Sequence, residues 1–246
     1  MFYASELMAK HGISAVFSDR NGGVSEDVFS SLNLGEGLGD RSEHVTQNLA
    51  MLCQISKIPL PHQAKQVHGT QVLYCENDGV THQNDADILI TTYSRVALAV
   101  RTADCLPVLL ADVEAGVAAA VHAGWRGTAE NVVGIAIDAM CDKGASPAHI
   151  VASFGPSISS CCFEVNEEIA EVLSQSCGVN IGLHLENKVY ADLALTNYHQ
   201  LLNKGLSPDR IEESKACTVC NSQPNYFSYR RDCGKTGRQL AIIALP

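Results

Sequence analysis

The chain has 246 residues, with 17 Lys or Arg and 27 Asp or Glu, and therefore a net charge of −10. This acidic balance argues against general nucleic-acid binding, because affinity for the phosphate backbone depends on clustered Lys and Arg. With 46% hydrophobic and 18% charged residues, the composition is that of a globular protein and excludes an intrinsically disordered chain.

The predicted elements run along the chain without an internal repeat, a low-complexity tract or a Pro- or Ser-rich linker. The first part reads, in order, as a strand over Ile13–Ser18, a polar loop to Gly39, a helix behind the capping-box pair Asp40 and Glu43, and strands over Ala64–Val67, Gln71–Cys75, Ala86–Thr91, Val96–Arg101, Val108–Ala111 and Val117–Val121. The second part reads as a helix over Asn131–Cys141, a strand over Ile150–Phe154, helices over Asn166–Ser174 and Asp192–Asn203, and strands over Ile211–Ser214, Tyr226–Tyr229 and Gln239–Ala244. Strands outnumber helices and do not alternate with them regularly. This pattern predicts an α+β fold, a layered α/β single domain over residues 1–246 with mixed β-sheets, and argues against a doubly wound fold.

Ten cysteines are the unusual component of the composition. The N-terminus, MFYASELMAK, lacks a basic segment followed by an apolar one, so we expect no signal peptide. Apolar runs such as Val96–Val100 are far shorter than the roughly 20 residues that cross a bilayer, so we expect no contact with a membrane. We therefore predict a cytoplasmic protein, in which cysteines are mostly free thiols, ligands or nucleophiles.

Three polar segments, QVHG, TADC and HAGWRG, each follow a predicted strand. They contain His68, Cys105 and His122, and two imidazoles with one thiolate form a three-ligand set for zinc that leaves the fourth position open. Ligands spread this widely along the chain suit an open, catalytic site. The spacing alone is weak evidence, because a histidine at a strand end is more often a hydrogen-bonded structural residue and a cysteine between apolar strands is usually small and buried.

Several longer segments are similar to those of one known family, namely RNGGVSEDVFSSLNLGEGLGD, KQVHG, RTADCLPVLLAD, AAAVHAGWRGTAE, FGPSISSCCFEV and NYFSYRRDCGKTGR. They resemble the YfiH/YlmD family, also called the laccase-domain or polyphenol oxidase family, over nearly the whole chain. The resemblance implies a layered α/β fold, which is sometimes grouped with CNF-type cysteine hydrolases. It implies a zinc-dependent purine nucleoside phosphorylase that also deaminates adenosine and cleaves methylthioadenosine, with purine nucleosides and phosphate as its partners. It also implies that His68, Cys105 and His122 are the zinc ligands.

Such chemistry needs a phosphate site and a general acid or base. Arg126, in a Gly-flanked turn before a predicted helix, is a candidate for phosphate binding, and a surface arginine is the alternative. Asp104, beside Cys105, is a candidate catalytic acid or base, or a partner that orients a histidine; a turn-capping aspartate is the alternative. Gln66 precedes His68 by two residues, so in a strand both would face the same side. Gln66 is therefore a candidate for substrate binding, and a polar edge position is the alternative.

Arginines of the RNGG and YRRDCGKTGR segments are candidates for binding phosphate or ribose. Arg20 and Arg230 are the substrate-binding candidates, with Arg231 and Arg238 beside them. The alternative is a solvated hairpin in which salt bridges to Asp232 neutralise these charges. We assign no role to Arg101, and the single tryptophan, Trp125, either stacks on a purine or anchors the turn by packing.

Two cysteine pairs lie outside this set. Cys217 and Cys220 form a CxxC that is compatible with a metal knuckle, a redox pair or chance; a knuckle needs a second pair of ligands, and only Cys233 lies shortly downstream. Cys161 and Cys162 are adjacent, so in an extended segment they would face opposite sides and one would lie in the core.

Three other functions compete with a zinc enzyme. A cysteine hydrolase, including an amidase that edits cell walls, would use Cys105 as nucleophile and His122 as base, and stoichiometric zinc would argue against it, because a ligating thiolate is not a free nucleophile. A copper-dependent polyphenol oxidase fits a mononuclear His/Cys site, but a multicopper enzyme also needs a histidine-rich cluster, and the chain has nine His and no HxH pair. A pure binding module would show no turnover of nucleosides.

Overall fold

Two stacked β-sheets lie between helices in the computed structural model, which describes residues 1–222 and 225–246. In chain order the strands are β1 (Phe2–Ala4), β2 (Ser14–Ser18), β3 (Gln63–Lys65), β4 (Val72–Tyr74), β5 (Thr81–Asp85), β6 (Ile88–Thr91), β7 (Ala97–Thr102), β8 (Leu106–Asp112), β9 (Val117–Ala123), β10 (Val151–Phe154), β11 (Glu164–Val165), β12 (Leu183–Leu185), β13 (Lys188–Tyr190), β14 (Ile211–Glu213) and β15 (Gln239–Ala244). The helices are α1 (Glu6–Lys10), α2 (Ser42–Ser56), α3 (Trp125–Ala129), α4 (Val132–Cys141), α5 (Glu167–Cys177) and α6 (Leu193–Asn203). Short 3-10 turns occur at Asp27–Phe29 and Pro208–Arg210.

The larger sheet has the order β14-β10-β8-β9-β6-β4, and it is mixed, because β4 runs parallel to β6 and β14 runs parallel to β10. The second sheet, β1-β2-β15-β7, is antiparallel. A three-stranded sheet, β11-β13-β12, and the pair β3-β5 lie beside them. The prediction of a layered α+β fold with mixed sheets is thus confirmed.

Side chains of the central strands point alternately to the two faces of the larger sheet, and so they pack against the helices on one face and against the second sheet on the other. Val108 and Leu110 of β8 pack on the side covered by α4, α5 and α6. Leu109 points the other way, toward the second sheet, where it shares an apolar cluster with Leu98 and Val100 of β7. Strands buried on both faces read as continuous apolar runs, which is the pattern of β7, β8 and β9. The opposite face of the second sheet packs against α2 through another apolar cluster.

Most predicted elements are confirmed to within a few residues, and Gln239–Ala244 matches β15. Asn166 and Asp192, where two of the predicted helices begin, are the N-caps of α5 and α6, since each side chain accepts the backbone N–H three residues on. The strand predicted over Tyr226–Tyr229 is wrong. The backbone of Phe227 pairs instead with the side-chain amide of Gln239, so no neighbouring strand is required.

The predicted capping box of α2 is also wrong. The Asp40 carboxylate accepts hydrogen bonds from Ser25, Asn33 and the backbone N–H of Arg41, and so it is committed to the preceding loop. The helix begins at Ser42, with Arg41 as an N-cap that makes no side-chain capping bond.

Among the described residues, no helix combines the length and apolarity that a bilayer crossing requires.

Candidate metal centre and cleft

The ends of several central strands meet at one edge of the two sheets. Cys105 comes directly before β8, and His122 is the penultimate residue of β9, opposite Pro107 in the ladder. Side chains alternate along a strand, so His122 lies on the same face as Ala118 and Ala120, which pack toward the second sheet. The hairpin therefore holds a thiol and an imidazole at the mouth of the space between the sheets.

His68 reaches the same place from a loop. Strand β3 ends at Lys65, and His68 takes a positive φ of 61°. The interpretation that Gln66 and His68 share the face of one strand is therefore wrong. The loop is held because the backbone N–H groups of Val67, His68 and Gly69 all donate to the carboxylate of Asp87, at 2.9–3.0 Å.

The structure brings His68, Cys105 and His122 together. One ligand atom from each lies within 4.8 Å of the others, and the two imidazole rings meet edge to face with centroids 4.8 Å apart. Gly124 makes room for this arrangement: a β-carbon there would lie 2.9 Å from Cδ2 of His68 and 3.2 Å from Sγ of Cys105.

Asp87, which the sequence analysis did not single out, orients His122. Its Oδ1 lies 2.6 Å from Nδ1 of His122, and both side chains are almost completely buried. A histidine bound to a carboxylate through one ring nitrogen presents the other to a metal, which is the usual support of histidine ligands. Asp87 precedes a strongly apolar strand, and this isolated carboxylate beside a buried run is the signal that could have identified it.

Burial alone would raise the pKa of the Cys105 thiol, but the charge and hydrogen bonding of His122 and His68 outweigh burial and lower the pKa to about 6. Burial alone would lower the pKa of His122, but Cys105 and Asp87 raise it to about 9. Without a metal, these two groups therefore form a thiolate and imidazolium pair. A positive metal ion would take the place of the imidazolium proton in neutralising the thiolate.

The donor set fits a single metal ion. Two imidazole nitrogens and one thiolate sulfur are ligands that zinc accepts, and three protein ligands leave a position that faces substrate. The three side chains line a cleft of about 560 Å³, within the usual size of small-molecule sites.

The cleft is locally basic although the chain is acidic. Lys65, Arg101, Arg230 and Arg238 line it, against the two acidic side chains Glu36 and Asp104. Arg238 is held by backbone carbonyls, since its Nη1 donates to Thr236 and Gly237 at 3.0 and 2.9 Å. Burial lowers the pKa of both Arg101 and Arg238, which is consistent with guanidinium groups that are largely removed from water.

The arginines that line the cleft are not all those expected. Arg230 is there, and so are Arg238 and Arg101, to which no role was assigned. Arg126 is exposed, lies over the ring of Trp125 at 4.4 Å and is not among the residues that line the cleft, so its role as a phosphate ligand stays a prediction. Arg20 is also outside, because its Nε donates to the carbonyl of Ser30 and its guanidinium lies over Phe227.

The remaining candidates are committed to protein contacts. Oδ1 of Asp104 accepts from the hydroxyl of Thr218 at 2.6 Å, and Oδ2 accepts from the backbone N–H of Arg230 at 2.7 Å. The histidine partner is therefore Asp87, and Asp104 braces two loops. Gln66 exchanges two hydrogen bonds of 2.8 Å with the backbone of Arg101, which corresponds to the structural alternative. Arg231 pairs with Asp232, as the salt-bridge alternative required.

Comparison with known proteins identifies the family. The family model described as multi-copper polyphenol oxidoreductase laccase matches residues 14–246. The chain is 36% identical to a purine nucleoside phosphorylase of Deinococcus radiodurans over 94% of its own length and 88% of that protein. It is 35% identical to the purine nucleoside phosphorylase YfiH of Shigella flexneri, covering 95% of this chain and 94% of that protein. It superimposes on the crystal structure of YlmD from Geobacillus stearothermophilus with a TM-score of 0.89 and 30% identity, covering 98% of this chain and 93% of that one. The chain therefore belongs to the multi-copper polyphenol oxidoreductase laccase family. The resemblance to YfiH and YlmD is thereby confirmed.

The laccase-domain family name suggests copper chemistry, for which this chain offers few histidines. Within the described residues, three groups of His and Cys side chains are close enough to share an ion, and none contains more than two histidines. A trinuclear copper cluster needs many more. The residues therefore fit a mononuclear centre.

Proposed function

We propose that this protein is a zinc-dependent purine nucleoside phosphorylase that also deaminates adenosine and cleaves methylthioadenosine. The names of its relatives support phosphorolysis of purine nucleosides. The observation that carries the proposal is the convergence of His68, Cys105 and His122 at the floor of a basic cleft.

The proposal assigns the metal to these three side chains. Bound there, a zinc ion would supply a Lewis acid that lowers the pKa of a bound water to about 7, which is the chemistry that deamination at the purine C6 requires. Asp87 keeps Nδ1 of His122 occupied, so the ring presents its other nitrogen to the metal. Copper(II) also accepts imidazole, and so elemental analysis has to identify the ion.

Phosphorolysis requires an anion site and support for a developing positive charge on the ribose. We assign the phosphate to Arg238 and Arg101, whose fork-shaped guanidinium groups suit phosphate oxygens, with exposed Arg230 at the rim. The purine is assigned to the side of the cleft formed by Trp125 and Phe163, which provides apolar surface for a ring system. Asp104 remains the nearest carboxylate to the metal ligands in sequence, and we assign it a positioning role, because both of its oxygens already accept hydrogen bonds.

A second function is favoured by one specific contact. Cys105, His122 and Asp87 form a relay of thiol, imidazole and carboxylate, which is also the arrangement of a cysteine hydrolase. A cysteine hydrolase would not need a second histidine beside the Cys105 thiol, whereas a three-ligand zinc centre requires His68 there.

One protein sample decides between the two. The purified chain is analysed for zinc and copper and is then incubated with adenosine or methylthioadenosine, with and without phosphate, and the products are separated by chromatography. We expect zinc, release of adenine that depends on phosphate, and formation of inosine from adenosine without phosphate. His68→Ala and Cys105→Ser should lose both one zinc per chain and turnover, whereas the matched control Cys233→Ser, at an exposed cysteine outside these groups, should lose neither.

Full nucleoside turnover in Cys105→Ser would overturn the zinc assignment. Activity toward amide substrates in a zinc-free sample, abolished by alkylation of Cys105, would establish the hydrolase in its place.

A further inference from the structure

A group of four cysteines lies outside the cleft lining. Cys161, Cys162, Cys217 and Cys220 bring their Sγ atoms within 4.8 Å of one another, and Sγ of Cys161 lies 3.7 Å from Sγ of Cys162 and 3.7 Å from Sγ of Cys220. All four are free thiols. Neither the metal centre nor the cleft uses them.

The fold, rather than a continuous motif, assembles this cluster. Residues 160–162 form a turn, so both side chains reach the same region and the expectation that they face opposite sides is wrong, although Cys162 packs against the main apolar cluster, as expected for one of the two. The second pair that a CxxC knuckle needs lies upstream of it, and Cys233 is outside the cluster. A bridge between Ser157 and Cys217, with Thr218 N donating to Ser157 O at 3.0 Å, holds the two loops together.

The environment of Cys217 suits a thiolate that is shared with a cation. The backbone N–H of Ser159 donates to its Sγ at 3.5 Å, and those of Val219 and Cys220 also bond to it. Backbone N–H groups that converge on a ligand sulfur from the two loops are the outer hydrogen bonds that hold metal-ligating thiolates in place.

We propose that Cys161, Cys162, Cys217 and Cys220 form a closed, structural zinc site. A zinc–sulfur bond is about 2.3 Å, so a tetrahedral ion separates its four sulfurs by about 3.8 Å, close to the 3.7 Å of the two contacts above. An iron–sulfur cluster spreads its cysteine ligands over several iron atoms and needs a wider arrangement. Four thiolates in tetrahedral reach of one point favour zinc over the harder divalent ions.

This structural zinc would stabilise the loops next to Cys105 without taking part in the reaction. Thr218, between Cys217 and Cys220, donates its hydroxyl to Asp104, and Asp104 receives the backbone N–H of Arg230. A zinc ion that fixes the Cys217–Cys220 loop would therefore fix the carboxylate next to Cys105. This inference does not rest on the proposed function, because the four thiols are separate from the His68, Cys105 and His122 group.

The test compares thiol protection in the wild-type chain, purified anaerobically with a phosphine reductant. Aliquots with stoichiometric zinc or with a strong chelator are alkylated briefly with iodoacetamide, and each cysteine is scored by peptide mass spectrometry. We expect zinc to slow alkylation of all four cysteines at least about tenfold and to leave exposed Cys233 equally reactive in both aliquots. Equal labelling of the four cysteines in both aliquots would overturn the proposal.

A variant separates the two metal sites. Cys161→Ser with Cys220→Ser changes the two exposed members of the cluster and should lose about one zinc per chain while keeping the zinc that Cys105→Ser removes. Cobalt(II) substitution gives an independent readout, because the intense thiolate charge-transfer band of a tetrathiolate site should vanish in the double variant and persist in Cys105→Ser. Unchanged zinc content and an unchanged cobalt spectrum in the double variant would overturn the proposal, and if that variant fails to fold, the wild-type protection experiment decides alone.

Discussion

Oδ1 of Asp87 lies 2.6 Å from Nδ1 of His122, and the same carboxylate receives the backbone N–H groups of Val67, His68 and Gly69. The buried side chain of Asp87 thus fixes the orientation of the His122 ring and also the position of the loop that carries His68. These contacts also lower the pKa of Asp87 against the effect of its burial, so it remains a carboxylate.

Replacing Asp87 tests this relationship. Asp87→Asn keeps the size but loses the charge that holds the His122 ring, and we expect the affinity of the His68, Cys105 and His122 centre for zinc to fall about 10- to 100-fold. Competition with a chromophoric chelator measures it. Asp112→Asn is the control, because Asp112 is equally buried and also accepts two backbone N–H groups, at the other end of β8. The same zinc affinity in both variants would contradict the role of Asp87.

Any side chain at position 124 is expected to disrupt the candidate metal centre. The β-carbon of Gly124→Ala would lie 2.9 Å from Cδ2 of His68, so the ring must move and the three ligands lose their common point. We expect loss of one zinc per chain and of turnover, with the fold retained by circular dichroism. Gly182→Ala is the control, since its β-carbon would meet nothing closer than 3.5 Å. Normal zinc content in Gly124→Ala would show that the His68 ring is not fixed.

The reactivity of Cys105 should depend on pH in a diagnostic way. The thiolate is the nucleophile, and the pKa of this thiol is lowered to about 6, so in the metal-free protein its alkylation rate should rise through about pH 6 instead of near 9. His122→Gln removes the main cause of the lowered pKa and should move the midpoint upward. Cys75 is the internal reference, because burial raises its pKa to about 12 and it should stay unreactive at neutral pH. A Cys105 midpoint above pH 8 would contradict the thiolate and imidazolium pair.

Arg101 and Arg238, the two cleft arginines assigned to phosphate, are expected to determine the affinity for phosphate. Hydrogen bonds to charged groups contribute about 1.5–3 kcal/mol, so Arg238→Ala should raise the KM for phosphate about 10- to 100-fold while adenosine deamination changes far less. Initial rates at varied phosphate measure this. Arg210→Ala, at a half-buried arginine outside the cleft lining, is the control. An unchanged phosphate KM in Arg238→Ala would move the anion site elsewhere.

Local sequence patterns predict much of this fold, because β8, β9 and α4 owe their character to apolar residues close together in the chain. The candidate ligands His68, Cys105 and His122 could be nominated because each lies in a polar segment after a predicted strand and because the family resemblance implies them. Their convergence depends on strand pairing between distant segments, which local patterns do not specify.

The positions of several other residues show what local patterns lack. Arg101 belongs to a strand by pattern, and only the packing of two sheets places it in the cleft. Arg126 lies between the motif residues Trp125 and Gly127, but in the structure it is exposed and lies over the ring of Trp125. Cys161 and Cys162 become partners of Cys217 and Cys220 only because a turn and a loop from distant parts of the chain meet at one bridge.

The pairing of β8 with β9 has a consequence for how length can vary in this protein. Leu106 faces Ala123 at the open end of the hairpin, and the turn over residues 113–116 lies at the far end. Residues inserted in that turn would leave the distance from Cys105 to His122 untouched, so length variation should be tolerated there. A single residue removed between Val117 and Val121 would instead send the imidazole to the helix-covered face, because the side-chain period of a strand is two.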